Sequence, residues 1–364
     1  MIEADFRTWT SVFKNLRIDY HVSRYWTPAE FRNALFREAG KLLSVGGGIW
    51  FYDMTAGWFN DPRMMKDAAL LKKISDKLAA NDAPFTPAEI ALVADEANFL
   101  ATSEQLHCWN GPNFHSVRKP QRSMMRAGVK YDYLYLTDLI SRKMTHHKLY
   151  CFLNLWHITP ETEAYINSLR KEGKVLVFVY ASGYSTDKGL DVKNISRITG
   201  INVEKLTSGI QQAVFVESPV SKNLAGKEAG LDNSLGELRF GVKDKSAKPI
   251  AVYKDGKIAG AMKKFPGYTS IYLAQPSPFT AEFLAQLAEY AGVHRFNKVP
   301  GDMFIHRRDD FIAMHGVEGN TNIISPAPGK KLYDFTTGKA LPVNKDNTVT
   351  VKLAPGETRL LEVR

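Results

Sequence analysis

The chain is poor in the residues that mark several protein classes. Its 364 residues include two cysteines, Cys108 and Cys151. Neither belongs to a CxxC pair, which excludes a zinc knuckle, and a single disulfide is open but unforced. So low a count fits a reducing compartment, and a cytoplasmic location is the expectation. No apolar run reaches the ~18 residues of a membrane span. No secretory leader is visible at the start, so no membrane partner is expected. The motifs HxxxH and HExxH are absent. His146 and His147 are adjacent, so within a helix or a strand they point apart. No metal site and no cofactor is expected. Gly46-Gly47-Gly48 precedes an apolar run, whereas a phosphate loop follows a strand and opens a helix. Ser185-Thr186-Asp187-Lys188-Gly189 likewise lacks the Walker pattern. Internal repeats and low-complexity tracts are missing too.

Charge excludes less than its size suggests. The net charge is +10, but the basic residues run from Arg7 to Arg364 without a block or stripe. That pattern reads as a solvated basic surface, with no nucleic-acid partner. Hydrophobic residues make up 44% of the chain, enough for a sizeable core. At roughly 100–200 residues per domain, two or three domains are expected.

Three textures divide the sequence. In residues 1–82, Thr27-Pro28-Ala29-Glu30 has the form of a capping box with proline at the first helical position. Phe31, Leu35, Ala39 and Leu42 then form one helical stripe. Ile49-Trp50-Phe51-Tyr52-Asp53 reads as a buried parallel strand ending on an acid. Asp61-Pro62 opens a second capped helix, to about Leu78. In residues 83–300, strands are expected at Ile90–Glu96, Tyr131–Asp138, Lys148–Asn154 and Lys174–Tyr180, with helices between them such as Pro160–Lys171. That alternation predicts a parallel sheet covered on both faces. Thr86-Pro87-Ala88-Glu89 is a second capping-box sequence, and the strand at Ile90 is preferred over a helix because it continues the alternation. The stretch 200–248, rich in glycine and lysine, has no clear period. A hairpin turning at Asp255-Gly256 follows, then a strand Tyr268–Gln275 and a helix Ala281–Tyr290. Residues 301–364 read as a small β-sandwich.

The candidate chemistry lies near the start. Along an extended chain Glu3, Asp5, Arg7 and Trp9 share one side. The bland reading is an Asp5–Arg7 ion pair with a solvated Glu3. A second stretch, GGGIWFYDMTAGWF, is built alike. Its apolar strand ends on Asp53, and its loop carries Trp58. Four of the six tryptophans, Trp9, Trp26, Trp50 and Trp58, fall in the first 58 residues. Indoles beside carboxylates suit a sugar, the ring stacking on its apolar face while acids take the hydroxyls. Trp50 reads equally as core; Trp58, in the loop, favours function.

These residues carry a resemblance. IEADFRTW, LLSVGGGIWFYDMTAGWFNDP, KYDYLYLTDLI and KLYCFLNLWHITPETEAYINSLRKEGKVLVFVYASGY resemble the C-terminal half of β-galactosidase-like enzymes of glycoside hydrolase family 42. AGVHRF, FIAMHG, LYDFTTGKAL and LAPGETRLLEV resemble their terminal β-domain. The resemblance implies an α/β fold: the last two βα units of a (β/α)8 barrel (1–82), a flavodoxin-like, class I amidotransferase-like trimerisation domain (83–300) and a small C-terminal β-sandwich (301–364). It implies Glu3 as the catalytic nucleophile of a retaining mechanism on a carbohydrate substrate. Asp5, Arg7, Trp9, Asp53 and Trp58 would bind substrate, and the protein would form a homo-oligomer such as a trimer. A full barrel takes about 250 residues, and only about a quarter of that is here. The acid/base is therefore expected outside this sequence, and the chain alone is expected to be inactive. The other reading is a non-catalytic oligomerisation or carbohydrate-binding module built on 83–300. In the amidotransferase comparison the nucleophile turn is Tyr180-Ala181-Ser182-Gly183-Tyr184, which has no cysteine, and Ser182 has no evident histidine partner.

Overall fold

A computed structural model of the chain describes residues 2–10, 24–25, 27–53, 57–81, 86–98, 113–231 and 238–364. Trp26, the loop residues 54–56 and Cys108 lie outside them. The chain divides into two compact units, one drawn from Met1–Thr86 and Phe296–Arg364, the other from Pro87–Arg295.

The first unit begins with local rules obeyed. Thr27 has extended backbone, and its hydroxyl accepts from the Glu30 amide at 3.2 Å while the Glu30 carboxylate accepts from the Thr27 amide at 3.0 Å. The helix Pro28–Leu43 follows and buries Phe31, Leu35, Ala39 and Leu42. Asp61 caps the helix Pro62–Ala79 by accepting from the Arg63 amide at 2.8 Å. The strands Ile2–Ala4 and Ile49–Phe51 pair in parallel, with Glu3 opposite Trp50 and Ala4 opposite Phe51. This corrects one expectation. The Ile49 run is not a buried strand: Trp50 is 41% exposed and Phe51 36%. No third strand joins the pair among the described residues.

The returning chain completes this unit. Met303–Arg308, Phe311–Gly316, Thr358–Val363 and Leu332–Asp334 form a four-stranded antiparallel sheet, and Thr321–Ile324 pairs with Val349–Lys352. Period-two alternation sends side chains to two cores. Ile312, Met314, Leu361 and Val363 pack with Ile324, Val349 and Val351 of the shorter sheet. Phe311, Ala313 and Leu360 point the other way, into the core that holds Phe31, Leu35 and Phe36.

Gly40 sits where the first helix meets that sheet. A Cβ added there would lie 2.4 Å from the Ala313 Cβ and 3.2 Å from a Leu360 methyl. Alanine is favoured over glycine by about 1 kcal/mol in a helix interior. Overpacking against a strand that cannot retreat outweighs it, and Gly40→Ala is expected to lose roughly 1–3 kcal/mol net. Chemical denaturation checks this; equal or higher stability would mean the helix is not seated so closely.

The second unit is built on one mixed sheet of 11 strands. Its parallel strands run in the spatial order Asp132–Tyr135, Ile90–Ala94, Leu149–Phe152, Lys174–Val179, Tyr268–Leu273. Ile90–Ala94 and Lys174–Val179 are buried at every residue, as central parallel strands are. The expected strand 131–138 is shorter. It ends at Tyr135, and Leu136–Ser141 is a helix that buries Leu136 and Leu139, a three-residue spacing. Segment 200–248 supplies four antiparallel strands, Val203–Leu206, Gln211–Phe215, Glu228–Leu231 and Arg239–Val242. The hairpin Lys248–Tyr253 to Ile258–Phe265 turns through Asp255-Gly256, with Gly256 at φ +79°. No helix among the described residues is long and apolar enough to cross a membrane.

Candidate functional site

The parallel pair Ile2–Ala4 and Ile49–Phe51 sorts its residues by face. Ala4 is buried in the helix-side core, with Ile49 packed against it. Alternation therefore puts Glu3 and its register partner Trp50 on the opposite face. Glu3 is exposed there. Tyr52 continues that row, its ring 5.8 Å from Trp50 at an 82° interplanar angle. The arrangement is an open carboxylate beside two aromatic rings.

Beyond Ala4 the strand breaks before resuming at Arg7–Thr8. Asp5 and Arg7 form the expected ion pair. Arg7 is buried, and its guanidinium lies 4.1 Å over the Trp58 ring. The loop position of Trp58 suggests a stacking platform, but its side chain is fully buried. Its backbone does the local work instead. The Trp58 amide donates to Asp53 at 3.1 Å, and its carbonyl accepts from the hydroxyls of Thr8 and of Thr10, the latter at 2.5 Å. Asp53 itself is exposed. Trp9 donates its indole N–H to Asp61 at 3.2 Å, and Arg63 grips the same carboxylate at 2.7 and 3.0 Å. That guanidinium holds the Asp61 carboxyl well below the usual carboxylate range.

The structure thus brings Asp5, Arg7 and Trp58 into one cluster, ties Asp53 to it through the Trp58 amide, and leaves Glu3 open beside Trp50. Tyr52 is the residue sequence reasoning missed, and Trp50 is the one it left evenly between core and site. The signal was the strand register, which sets Trp50 opposite Glu3 and is not visible in either segment alone.

The second unit offers a different polar centre. The spatial order of its parallel strands reverses between Ile90–Ala94 and Leu149–Phe152, the place where doubly wound sheets open a crevice. Asp95 and Asn154 follow those strands. Asn154 accepts from the Asp95 amide at 2.8 Å and donates to the Asp95 carbonyl at 3.0 Å and to Asn113 at 3.1 Å. Burial pushes the Asp95 carboxyl up to about 6, against the opposing pull of the Ala97 amide. A carboxyl whose folded value is raised favours the folded state below its unfolded value near 4, and loses that contribution as pH rises through 6. Asp95→Asn should therefore stabilise the protein at pH 8 by about 1–2 kcal/mol, after discounting for residual solvent access, and hardly at all at pH 4. Denaturation midpoints at the two pH values test this. An equal gain at both would remove ionisation as the cause.

Ser182 is buried and donates to the Val179 carbonyl at 2.8 Å, so its hydroxyl is engaged away from any histidine. Two residues of that turn are left-handed, Tyr180 at φ +56° and Gly183 at φ +84°. Cys151 is buried, and burial raises its thiol far above the usual range, which keeps it unreactive. The expectation that His146 and His147 point apart is corrected. They lie in an irregular segment before the strand Leu149–Phe152, where the alternation rule does not hold, and their rings are 3.9 Å apart.

No protein-family model matches the sequence, and no curated protein matches it. Solved structures do. A β-galactosidase from Rahnella sp. R3 superposes with a TM-score of 0.67 at 16% identity, over 94% of this chain and 52% of that one. Gan42B, a GH42 β-galactosidase from G. stearothermophilus, gives 0.66 at 15% identity, over 93% and 51%. A β-galactosidase from Bacillus circulans sp. alkalophilus gives 0.61 at 18% identity, over 86% and 46%. At such identities the likeness is one of fold. The chain spans about half the length of these enzymes. In fold, it resembles about half of a glycoside hydrolase family 42 β-galactosidase.

Proposed function

We propose that this chain is the C-terminal portion of a retaining glycoside hydrolase of the β-galactosidase type, and that Glu3 is its nucleophile. The observation that carries the reading is the placement of Glu3. It stands open beside Trp50, on the face of a parallel strand pair that is turned away from the helices. In a (β/α)8 barrel that face lines the interior, and the active site gathers at the C-terminal ends of the strands.

In this reading the Glu3 carboxylate attacks the anomeric carbon as the glycosidic C–O bond breaks. The departing oxygen takes a proton from the acid/base, and water then cleaves the glycosyl ester. Asp53 and the Asp5–Arg7 pair hold sugar hydroxyls. Trp50 and Tyr52 offer apolar faces to the ring, Trp9 borders the subsite, and Trp58 supports Asp53 from below. The reaction needs a second carboxyl group about 5–5.5 Å from the first. That acid/base belongs to six further βα units not included in this chain, so the chain alone does not turn over. The unit Pro87–Arg295 serves assembly as a homo-oligomer.

The test is the mass and the most N-terminal peptide of the native protein, purified from its source. Peptides upstream of Met1, in a product longer by some hundreds of residues, are expected. A native product that starts at Met1 and has no partner would leave the nucleophile without its acid and would favour a non-catalytic assembly module.

A further inference from the structure

We infer that Asp132, His146 and His147 form a binding site for a divalent transition-metal ion, zinc being the best fit. The three residues each offer one donor atom, and all three donors lie within 4.8 Å of one another. Asp132 opens the strand at the edge of the sheet in the second unit. The two histidines come from the segment just before Leu149–Phe152.

That segment is held at both ends. The Tyr165 hydroxyl donates to the Met144 carbonyl at 2.6 Å, and the Lys148 amide donates to the Glu89 carbonyl at 2.8 Å. His147 is fully buried, and its ring packs edge-on to Tyr150 at 5.4 Å. Its Nε2 lies 3.0 Å from the Asp132 Oδ2. Its Nδ1 is buried with no hydrogen-bond partner among the described residues. The cation would sit between the His147 Nε2 and the Asp132 carboxylate, in place of the hydrogen bond they make without it.

The donor set decides the metal. Two imidazoles and one carboxylate match zinc and its transition-metal neighbours, whereas magnesium and calcium demand oxygen. Two donors each about 2.0–2.1 Å from a tetrahedral ion stand roughly 3.4 Å apart. The His147–Asp132 pair is already near that separation. The third donor, on exposed His146, lies within 4.8 Å of the other two. Three protein ligands leave a fourth position for water or an added ligand.

The experiment uses the full chain without a histidine tag, stripped with a chelator and titrated calorimetrically with zinc chloride. One zinc per chain is expected, with no binding of magnesium under the same conditions. His146→Ala should weaken zinc binding by at least about tenfold, and Asp132→Asn should weaken it as well. Cobalt in place of zinc should give a visible absorption band that His146→Ala abolishes. His146 is exposed, so the metal-free melting curve of that variant should match the wild type. No saturable zinc binding, or binding that both substitutions leave unchanged, overturns the site and leaves a plain histidine–carboxylate hydrogen bond.

Discussion

Glu3→Gln, made in the native protein with whatever coding sequence precedes it, is expected to lower hydrolysis of an aryl β-galactoside by at least about a thousandfold. The fold should not change. Glu3 is exposed, glutamine matches it in shape, and the strand pairing at this position uses backbone groups alone. The loss should fall on the chemical step, because a neutral amide cannot form the glycosyl ester. A shorter variant gives a sharper signature. With Glu3→Ala, added azide can enter the vacated space and attack the anomeric carbon directly. The product would be a glycosyl azide of inverted configuration, which no loss of binding or stability produces. Activity above a tenth of wild type in Glu3→Gln would remove Glu3 from the mechanism, and with it the main support for a glycosidase.

Phe31→Ala is expected to destabilise the first unit by about 3–5 kcal/mol. Phe31 is 1% exposed, and its ring lies 6.2 Å from Phe6, 6.3 Å from Trp9 and 6.1 Å from Phe59. One side chain therefore joins the first helix to the segment after the opening strand and to the loop after the second. Removing it leaves a cavity bordered by the elements that carry Glu3 and Asp53. The second unit has its own core, so unfolding should separate into two transitions rather than shift as one. Tryptophan fluorescence reads the difference, since Trp9, Trp50 and Trp58 lie in the first unit. A single transition, or a loss below about 1 kcal/mol, would mean the three contacts do not act as a packing hub.

How far the sequence could be read depends on whether the deciding contact was local. Thr27-Pro28-Ala29-Glu30 and Thr86-Pro87-Ala88-Glu89 are the same four residues. The first makes both capping-box bonds and opens a helix. The second opens none: the strand Ile90–Ala94 follows at once, and the amide and hydroxyl of Thr86 both donate to Asp309, at 2.9 and 2.6 Å. What separates them is the next five residues, an amphipathic run in one case and a wholly apolar one in the other. The adjacent histidines show the limit of periodicity, which says nothing inside an irregular segment. The Asp5–Arg7 pair was legible from its spacing, but the burial of the tryptophans was not. Burial of Trp58 depends on Arg7, half a hundred residues away in sequence, and exposure of Trp50 depends on which neighbours its face lacks. The seating of the helix Pro28–Leu43 on strands near residues 311–316 and 358–363 left one local trace. Gly40 interrupts a good helical stripe, and a glycine there marks close approach.

That seating also sets an order of events during synthesis. The helix Pro28–Leu43 shares its core with Leu360, while the strand carrying Leu360 emerges only after the whole unit Pro87–Arg295. At about 5–20 residues per second, the early segment waits roughly fifteen seconds to a minute for its partner. Through that interval the apolar stripe of Phe31, Leu35 and Phe36 lacks half its cover, while the inserted unit has everything it needs to fold. Slowing elongation late in the message should therefore favour aggregation or chaperone capture of the nascent chain, and joining Thr86 to Phe296 directly should relieve it.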